Sequence, residues 1–255
     1  IVRHPDTPRA VFRLLWQNLE AGRAMGAYVR NRTRDGRYYW VFAVASPLED
    51  GYVSVRLKPT STQSPKIMAL YDQLAREERD GLSVEDSLAK MLAAFRDMGF
   101  PSYDIFAAIS LMTEMRERTT RLNRTQDPAL ARFAAMSQAI LQMEKETGEM
   151  LRAFRTIRSV PMNMRIAASR LENAGGPISA ISVNYGAMLD EMTNWVVEFT
   201  GGGDSPFNRI RDALLKGLFL SHVAALQSEM RLNFGKNRGT ADIRTEQDLL
   251  AQQAA

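Results

Sequence analysis

Apolar and polar positions change period along the chain, and the changes predict its elements. Val11, Leu14, Leu15 and Leu19 recur at helical spacing, which predicts a first helix with Thr7 as its N-cap, Pro8 at its first position and Gly22 at its end. From Tyr28 to Thr60 the pattern shortens to runs rich in Tyr, Val and Trp, broken at Asp35-Gly36 and Asp50-Gly51. Such runs read as three short strands with two tight turns, and Asp-Gly suits a two-residue hairpin whose central residues take positive φ. Tyr39 and Trp40 point to opposite sides of their strand, which makes them core or interface residues before ligand contacts.

From Ser64 onward the chain reads as helix. Ser83 with Asp86 forms a capping-box variant ahead of Leu88, Met91, Leu92 and Phe95; Gly99 ends that helix and Pro101-Ser102 starts the next. There Ile105, Phe106, Ile109 and Met112 face inward, and Glu114, Arg116, Glu117 and Arg118 form a charged, exposed end. Asp127-Pro128 opens a long helical segment to about Glu172, which Pro161 should kink or break. After a turn at Asn173 to Pro177 the apolar stripe resumes through Ile178, Ile181, Tyr185, Leu189, Met192 and Trp195, giving a helical hairpin. Gly201 to Gly203 interrupts it, Ser205-Pro206 caps a last long helix through Ile210, Leu214, Leu218 and Leu226, and a polar tail follows Thr240. The organisation expected is a strand-bearing region over 1–60, a helical connector over 61–125 and a helical hairpin or bundle over 126–255.

Composition removes several function classes. The 255 residues carry a formal charge of +4, spread without a dense basic block, so nucleic acid is not expected as a partner. There is no cysteine, hence no disulfide, thiolate metal site or cysteine nucleophile, which fits a reducing, cytoplasmic setting. No apolar run approaches the roughly 18 to 20 residues that span a bilayer, and no signal peptide is visible. No paired carboxylates, metal-ligand cluster or nucleophile with a nearby base can be argued from spacing, so the expectation is a non-enzyme with no catalytic or metal residue. His222 reads as a helix histidine packed beside Leu218 and Leu226. The three glycines at Gly201 lack the Lys-Ser or Lys-Thr of a phosphate loop. Glu77, Glu78, Glu144 and Glu146 read as solvated helix faces, and the 14 methionines, mostly at helix core spacings, as packing residues.

Two stretches resemble known families. Arg3-His4-Pro5-Asp6-Thr7-Pro8 before the first helix, Asn31 to Gly36 at the hairpin, Tyr39-Trp40 and Ser54-Val55-Arg56 together resemble the C-terminal half of a PAS domain of the flavin-binding aerotaxis-receptor type. The fold class implied is α+β: a partial PAS antiparallel sheet followed by a long, mostly α-helical bundle or antiparallel helical hairpin. Because the first residue is Ile, the remaining PAS strands and helices are expected upstream of it. The resemblance implies a flavin cofactor, FAD in preference to FMN, supported by Arg3, His4 and Asp6, with Asn31 offering its amide to the pyrimidine edge of the ring. Met25 stands where the aerotaxis type carries Trp, and Val41 where light-sensing relatives carry a second Asn. Without cysteine the light-sensing adduct is disfavoured, and His4 is the only histidine that a haem could use in this region. Arg170 to Ser182 resembles, more distantly, the tip of the chemoreceptor signalling hairpin through Arg170, Ala174, Gly175, Ile178 and Ala180. Together these imply a cytoplasmic redox sensor that forms a homodimer and signals to a chemotaxis-type kinase or coupling protein. The alternative is a cofactor-free PAS dimerisation module on a helical scaffold.

Overall fold

The computed structural model describes residues 4–170, 175–202 and 204–237. Compactness divides them into a sheet unit, drawn from residues up to 131 and from 215 onward, and a helical unit of residues 132–214. The sheet unit begins with α1 (Arg9–Glu20), followed by β1 (Met25–Arg32), β2 (Tyr38–Leu48) and β3 (Gly51–Leu57). The strands pair antiparallel in the order β1-β2-β3, with Val29 opposite Val41 and Ala43 opposite Arg56. This is the helix, strand, hairpin, strand, turn, strand order read from the sequence.

The first hairpin is longer than a two-residue turn. Thr33 N donates to Arg37 O at 2.7 Å and Gly36 N to Thr33 O at 3.0 Å. Gly36 has φ of +85° and Asp35 is not in the positive-φ region, so only one residue of the pair uses the left-handed conformation. The start of α1 also differs from expectation. Pro8 is the N-cap residue and has no capping side chain, while the Thr7 hydroxyl donates to Arg30 O at 3.2 Å. The first helical donors are instead taken by Glu78, whose carboxylate accepts from Arg9 N at 2.7 Å and Ala10 N at 3.2 Å. A carboxylate is the better partner there, because it satisfies orphan N–H groups and complements the positive end of the helix. Glu78 is therefore a half-buried capping residue.

Three helices follow: α2 (Ser64–Arg79), α3 (Val84–Asp97) and α4 (Tyr103–Arg121). Ser83 and Ser102 cap the second and third as their sequences predict, accepting from Asp86 N at 3.0 Å and Ile105 N at 3.3 Å. One face of the sheet, hereafter the reverse face, carries the main core. Tyr28 meets Phe42 edge-on at 4.9 Å and Phe106 of α4 at 6.3 Å, Phe106 stacks on Phe95 of α3 at 3.9 Å, and Trp40 lies 6.2 Å from Tyr71 of α2. Each such side chain contributes about 1.5–3 kcal/mol by burial, which is what ties the helices to the strands.

Glu114 corrects the expectation of an exposed charged end on α4, because it is 1% exposed. Its Oε1 accepts from Tyr28 Oη at 2.8 Å and Ser61 Oγ at 2.6 Å, and its Oε2 from Thr60 N at 2.6 Å and Ser61 N at 3.1 Å. With the Thr60 hydroxyl at 3.5 Å, five donors converge on one carboxylate, so α4, β1 and the segment after β3 meet at a single group. Burial, followed by the neighbouring Glu114 carboxylate, pushes the Tyr28 phenol well above its usual range and keeps it a donor.

The last helix, α8 (Pro206–Asn237), contributes its residues from 215 onward to the sheet unit. Arg118 of α4 holds Glu229 through two bonds of 2.6 and 2.7 Å, and Arg124 adds a third. Hydrogen bonding from Arg118 lowers the Glu229 carboxyl from an ordinary value of 4.5 to about 2. A depressed carboxylate stabilises the fold above its unfolded-state pKa and loses that contribution as pH falls toward the folded value. Between pH 4.5 and 2, the wild type should therefore lose more thermal stability than Glu229→Gln, measured by melting at pH 7 and at the low end of that window. Equal losses in the two proteins would refute the assignment. His222 is buried on α8 with Nδ1 2.9 Å from Leu218 O, and burial lowers its pKa, in keeping with a packed helix histidine.

The helical unit comprises α5 (Pro128–Ile157) from residue 132 onward, α6 (Ser159–Ala168), α7 (Gly175–Thr200) and the start of α8. The break between α5 and α6 falls at Arg158, so Pro161 sits in the first turn of α6, where its missing N–H leaves no bond unmade. Helices α6 and α7 form an antiparallel hairpin: Arg158 pairs with Asp190 at 3.1 Å, Gly186 lies against Pro161, and Ser182 Oγ donates to Pro161 O. Asn173 and Ala174 of its turn lie outside the described residues. Glu144 pairs with Arg211 at 2.8 Å. The methionines of this unit are not all core: Met136, Met143, Met162, Met188 and Met192 are exposed, as are Ile181 and Trp195. No helix among the described residues is long and apolar enough to cross a membrane.

Candidate ligand-binding cleft

The period of two along a strand divides the sheet into two chemically different faces. Tyr28, Arg30, Trp40 and Phe42 occupy the reverse face, and α2 and α4 cover them. The other face presents Ala27, Val29 and Asn31 from β1, Ala43 and Ala45 from β2, and Ser54 and Arg56 from β3. Its middle is made of the small side chains Ala27, Ala43, Ala45 and Ser54. Above it α1 aligns Val11, Leu15 and Leu19 on one stripe and Phe12 and Trp16 on the next, at the i, i+4 spacing of a helix face. Large residues on the helix and small ones on the sheet leave a cleft of about 330 Å³ between them. Trp16 and Tyr52 meet edge-on at 5.5 Å at its border.

Asn31 is the polar group that this cleft leaves unanswered. The residue is 6% exposed, lines the cleft, and its Nδ2 has no hydrogen-bond partner among the described residues. A buried donor without a partner costs about 1–3 kcal/mol, so the position favours an occupant that brings an acceptor. Two neighbours on the same face explain why no protein group supplies it: Val29 and Val41 are apolar, and the helix stripe above is apolar as well.

His4 and Asp6 lie behind the sheet. The His4 ring is buried, its Nδ1 accepts from Asp6 N at 3.2 Å, and its edge meets Tyr38 at 5.6 Å. Asp6 bridges Arg30 at 3.1 Å and Arg79 at 2.6 Å, and Arg30 also pairs with Asp72. The Arg30 guanidinium stands 4.5 Å over the Tyr38 ring and 4.8 Å over Trp40. Arg30 and Asn31 are adjacent on β1 and point to opposite faces, so this cluster holds from behind the strand that carries the cleft amide. The structure thus places Asn31 in the cleft and His4 with Asp6 in the ion cluster of the reverse face. Arg3 lies outside the described residues. Met25 is buried on the cleft face, with its sulfur 3.9 Å from Asn18 Nδ2.

Arg56 enters the sequence reading only within the Ser54-Val55-Arg56 motif, Glu114 only as an exposed charge and Tyr28 only as the start of the strand region; none of the three is singled out there as a site residue. Register carries the signal for Arg56, because counting in twos from Ala43 through its pairing puts Arg56 on the face of Asn31. Nothing local marks Glu114, whose donors come from residues 53 to 86 positions away.

A helix thus lies over one face of a three-stranded antiparallel meander, with a polar amide inside the gap. Residues 1–56 match the PAS fold family. Over 79 residues the chain is 37% identical to the aerotaxis receptor of Escherichia coli (strain K12), an alignment that takes in 29% of this chain and 16% of the receptor. The chain spans about a sixth of the length of that relative, and the shared part is the PAS region. In this PAS region the cleft lies between α1 and the sheet, and the helices from α2 onward continue beyond the part of the chain that the family describes.

Proposed function

We propose that the protein is a non-catalytic signal-transduction sensor whose PAS cleft holds a flavin, FAD in preference to FMN, and reports its redox state through the reverse face of the sheet. The PAS region and its likeness to an aerotaxis receptor support a sensor of this class. The observation that carries the flavin is Asn31: a buried, unpartnered amide N–H aimed into a cleft whose floor is kept low by alanines and a serine. Such a slot suits a flat ring with a carbonyl-bearing edge, and Asn31 would supply the donor for that edge. When bound, a flavin supplies redox chemistry that changes the charge and hydrogen-bonding character of its ring.

The residues of this chain account for what would follow. A change of hydrogen bonding at Asn31 acts on β1, whose Tyr28 holds Glu114 of α4 on the other side of the sheet. One turn further along α4, Arg118 holds Glu229 of α8. The two ends of that route are packed, discrete contacts, which is what a shift between two arrangements requires. The exposed Met162, Ile181 and Trp195 of the helical unit fit a homodimer in which a second copy of the chain covers the same stripe, with a chemotaxis-type kinase or coupling protein as the receiver.

The test is optical. Purified full-length protein should show flavin absorbance or acquire it on reconstitution, and Asn31→Ala should weaken flavin binding about 10- to 100-fold, the equivalent of one buried donor. Protein that folds, forms a dimer and takes up no flavin would defeat this reading in favour of a cofactor-free dimerisation scaffold.

A further inference from the structure

The cleft contains one charged side chain and no carboxylate. Arg56 lines it from β3, is exposed at its rim, and its guanidinium has no hydrogen-bond or ion-pair partner among the described residues. Every other lining group except Asn31, Trp16, Tyr52 and Ser54 is wholly apolar. A lone cation at the mouth of an apolar cleft sets the sign of the local field there, and a guanidinium is the side chain best shaped to take a phosphate through two parallel bonds.

Register fixes where this cation stands relative to the cleft amide. Asn31 pairs with Tyr39 on β2 while Arg56 pairs with Ala43, so the two are separated by two strand spacings and four residues along the strand. By strand geometry that is roughly 16 Å between Cα atoms, diagonally across the small-residue floor. An occupant that meets both is elongated, with a carbonyl-bearing edge at one end and an anion at the other.

We propose, on the foundation of the flavin reading, that Arg56 is the specificity determinant of the cleft and that the ligand recognised is a phosphorylated one, its ring edge at Asn31 and its phosphate at Arg56. Riboflavin and FMN share the ring and differ in the phosphate, so they separate the two recognition points. Ligand-stripped full-length protein is titrated with each by fluorescence at low and high salt, with circular dichroism as the check on folding. FMN should bind about tenfold more tightly than riboflavin at low salt, as expected for a charge-assisted contact, and the preference should shrink as salt screens the pair. Arg56→Gln should bring the ratio of the two affinities close to one, and Arg56→Lys should keep part of it, because a point charge remains without the fork. Equal binding of the two ligands by wild type, or a ratio that Arg56→Gln leaves intact, overturns the role of Arg56 and leaves the flavin reading standing. Failure of folded wild type to bind FMN, riboflavin or FAD overturns both.

Discussion

Glu114→Ala is expected to cost about 3–5 kcal/mol of stability, the range for removing one partner from a buried, charged network. The carboxylate is 1% exposed and receives the Tyr28 hydroxyl, the Ser61 hydroxyl and the backbone N–H groups of Thr60 and Ser61. Truncation leaves these donors facing an empty space, and each buried orphan costs about 1–3 kcal/mol before water or rearrangement reduces the total. Glu114→Gln keeps the volume but turns an amide N–H toward donors that need an acceptor, so it should fall between alanine and wild type. Urea unfolding followed by circular dichroism measures both, with a fall in the midpoint at constant slope as the sign of a stability change. An alanine variant within about 1 kcal/mol of wild type would show that the bonds to Glu114 are replaceable by solvent. Because Tyr28 sits on the strand of Asn31, the same variant should also weaken flavin binding, which separates a clamp on β1 from a purely local anchor of α4.

Gly26→Val is expected to undock α8 from the sheet. A Cβ at Gly26 would stand 2.9 Å from Phe42 Cζ and 3.2 Å from Phe219 Cε2, both ring atoms of packed side chains. Phe42 is fully buried and Tyr103 Oη donates to Gly26 O at 3.0 Å, so neither ring nor strand has room to retreat. Overpacking of this kind costs about 1–3 kcal/mol, and here it falls on the contact between β1 and α8. Amide exchange should rise over residues 215–232 in Gly26→Val relative to wild type. Adding Phe219→Leu to the milder Gly26→Ala should recover part of its loss, since the ring edge that the methyl meets is gone; a purely additive cycle would place the clash at Phe42 alone.

Much of the fold is legible locally because its signals are local. Gly22 and Gly36 take the left-handed conformation that their positions in the pattern imply, and Ser83 and Ser102 cap the helices they precede. The alternation along β1 puts Asn31 and Tyr28 on opposite faces whatever packs against the strand. Polarity alone misleads where a partner comes from far along the chain. Glu78 and Glu114 read as solvated because glutamates on helices usually are; one caps α1 and the other is enclosed by five donors. Thr7 reads as a cap for the helix beside it, and its hydroxyl instead reaches Arg30 O on β1.

The sequence by itself determined the order of elements, the places of the turns and the division of each strand into two sets of side chains, because these follow from backbone preferences and from periods of 2 and 3.6 residues. It also determined that Asn31 shares one set with Ala27, and Ala43 with Ala45, while the longer first hairpin, through its register, joined the two sets on one face. Only the tertiary structure decided which set faces a cavity. A two-sided strand has equivalent faces until helices pack on it, and α2 and α4 cover the aromatic face while α1 bridges the small-residue face without filling it. The same packing decided that His4 and Asp6 stand behind β1 and that Arg56 stands in the cleft with Asn31, since burial and pairing depend on residues that meet only when the chain is folded.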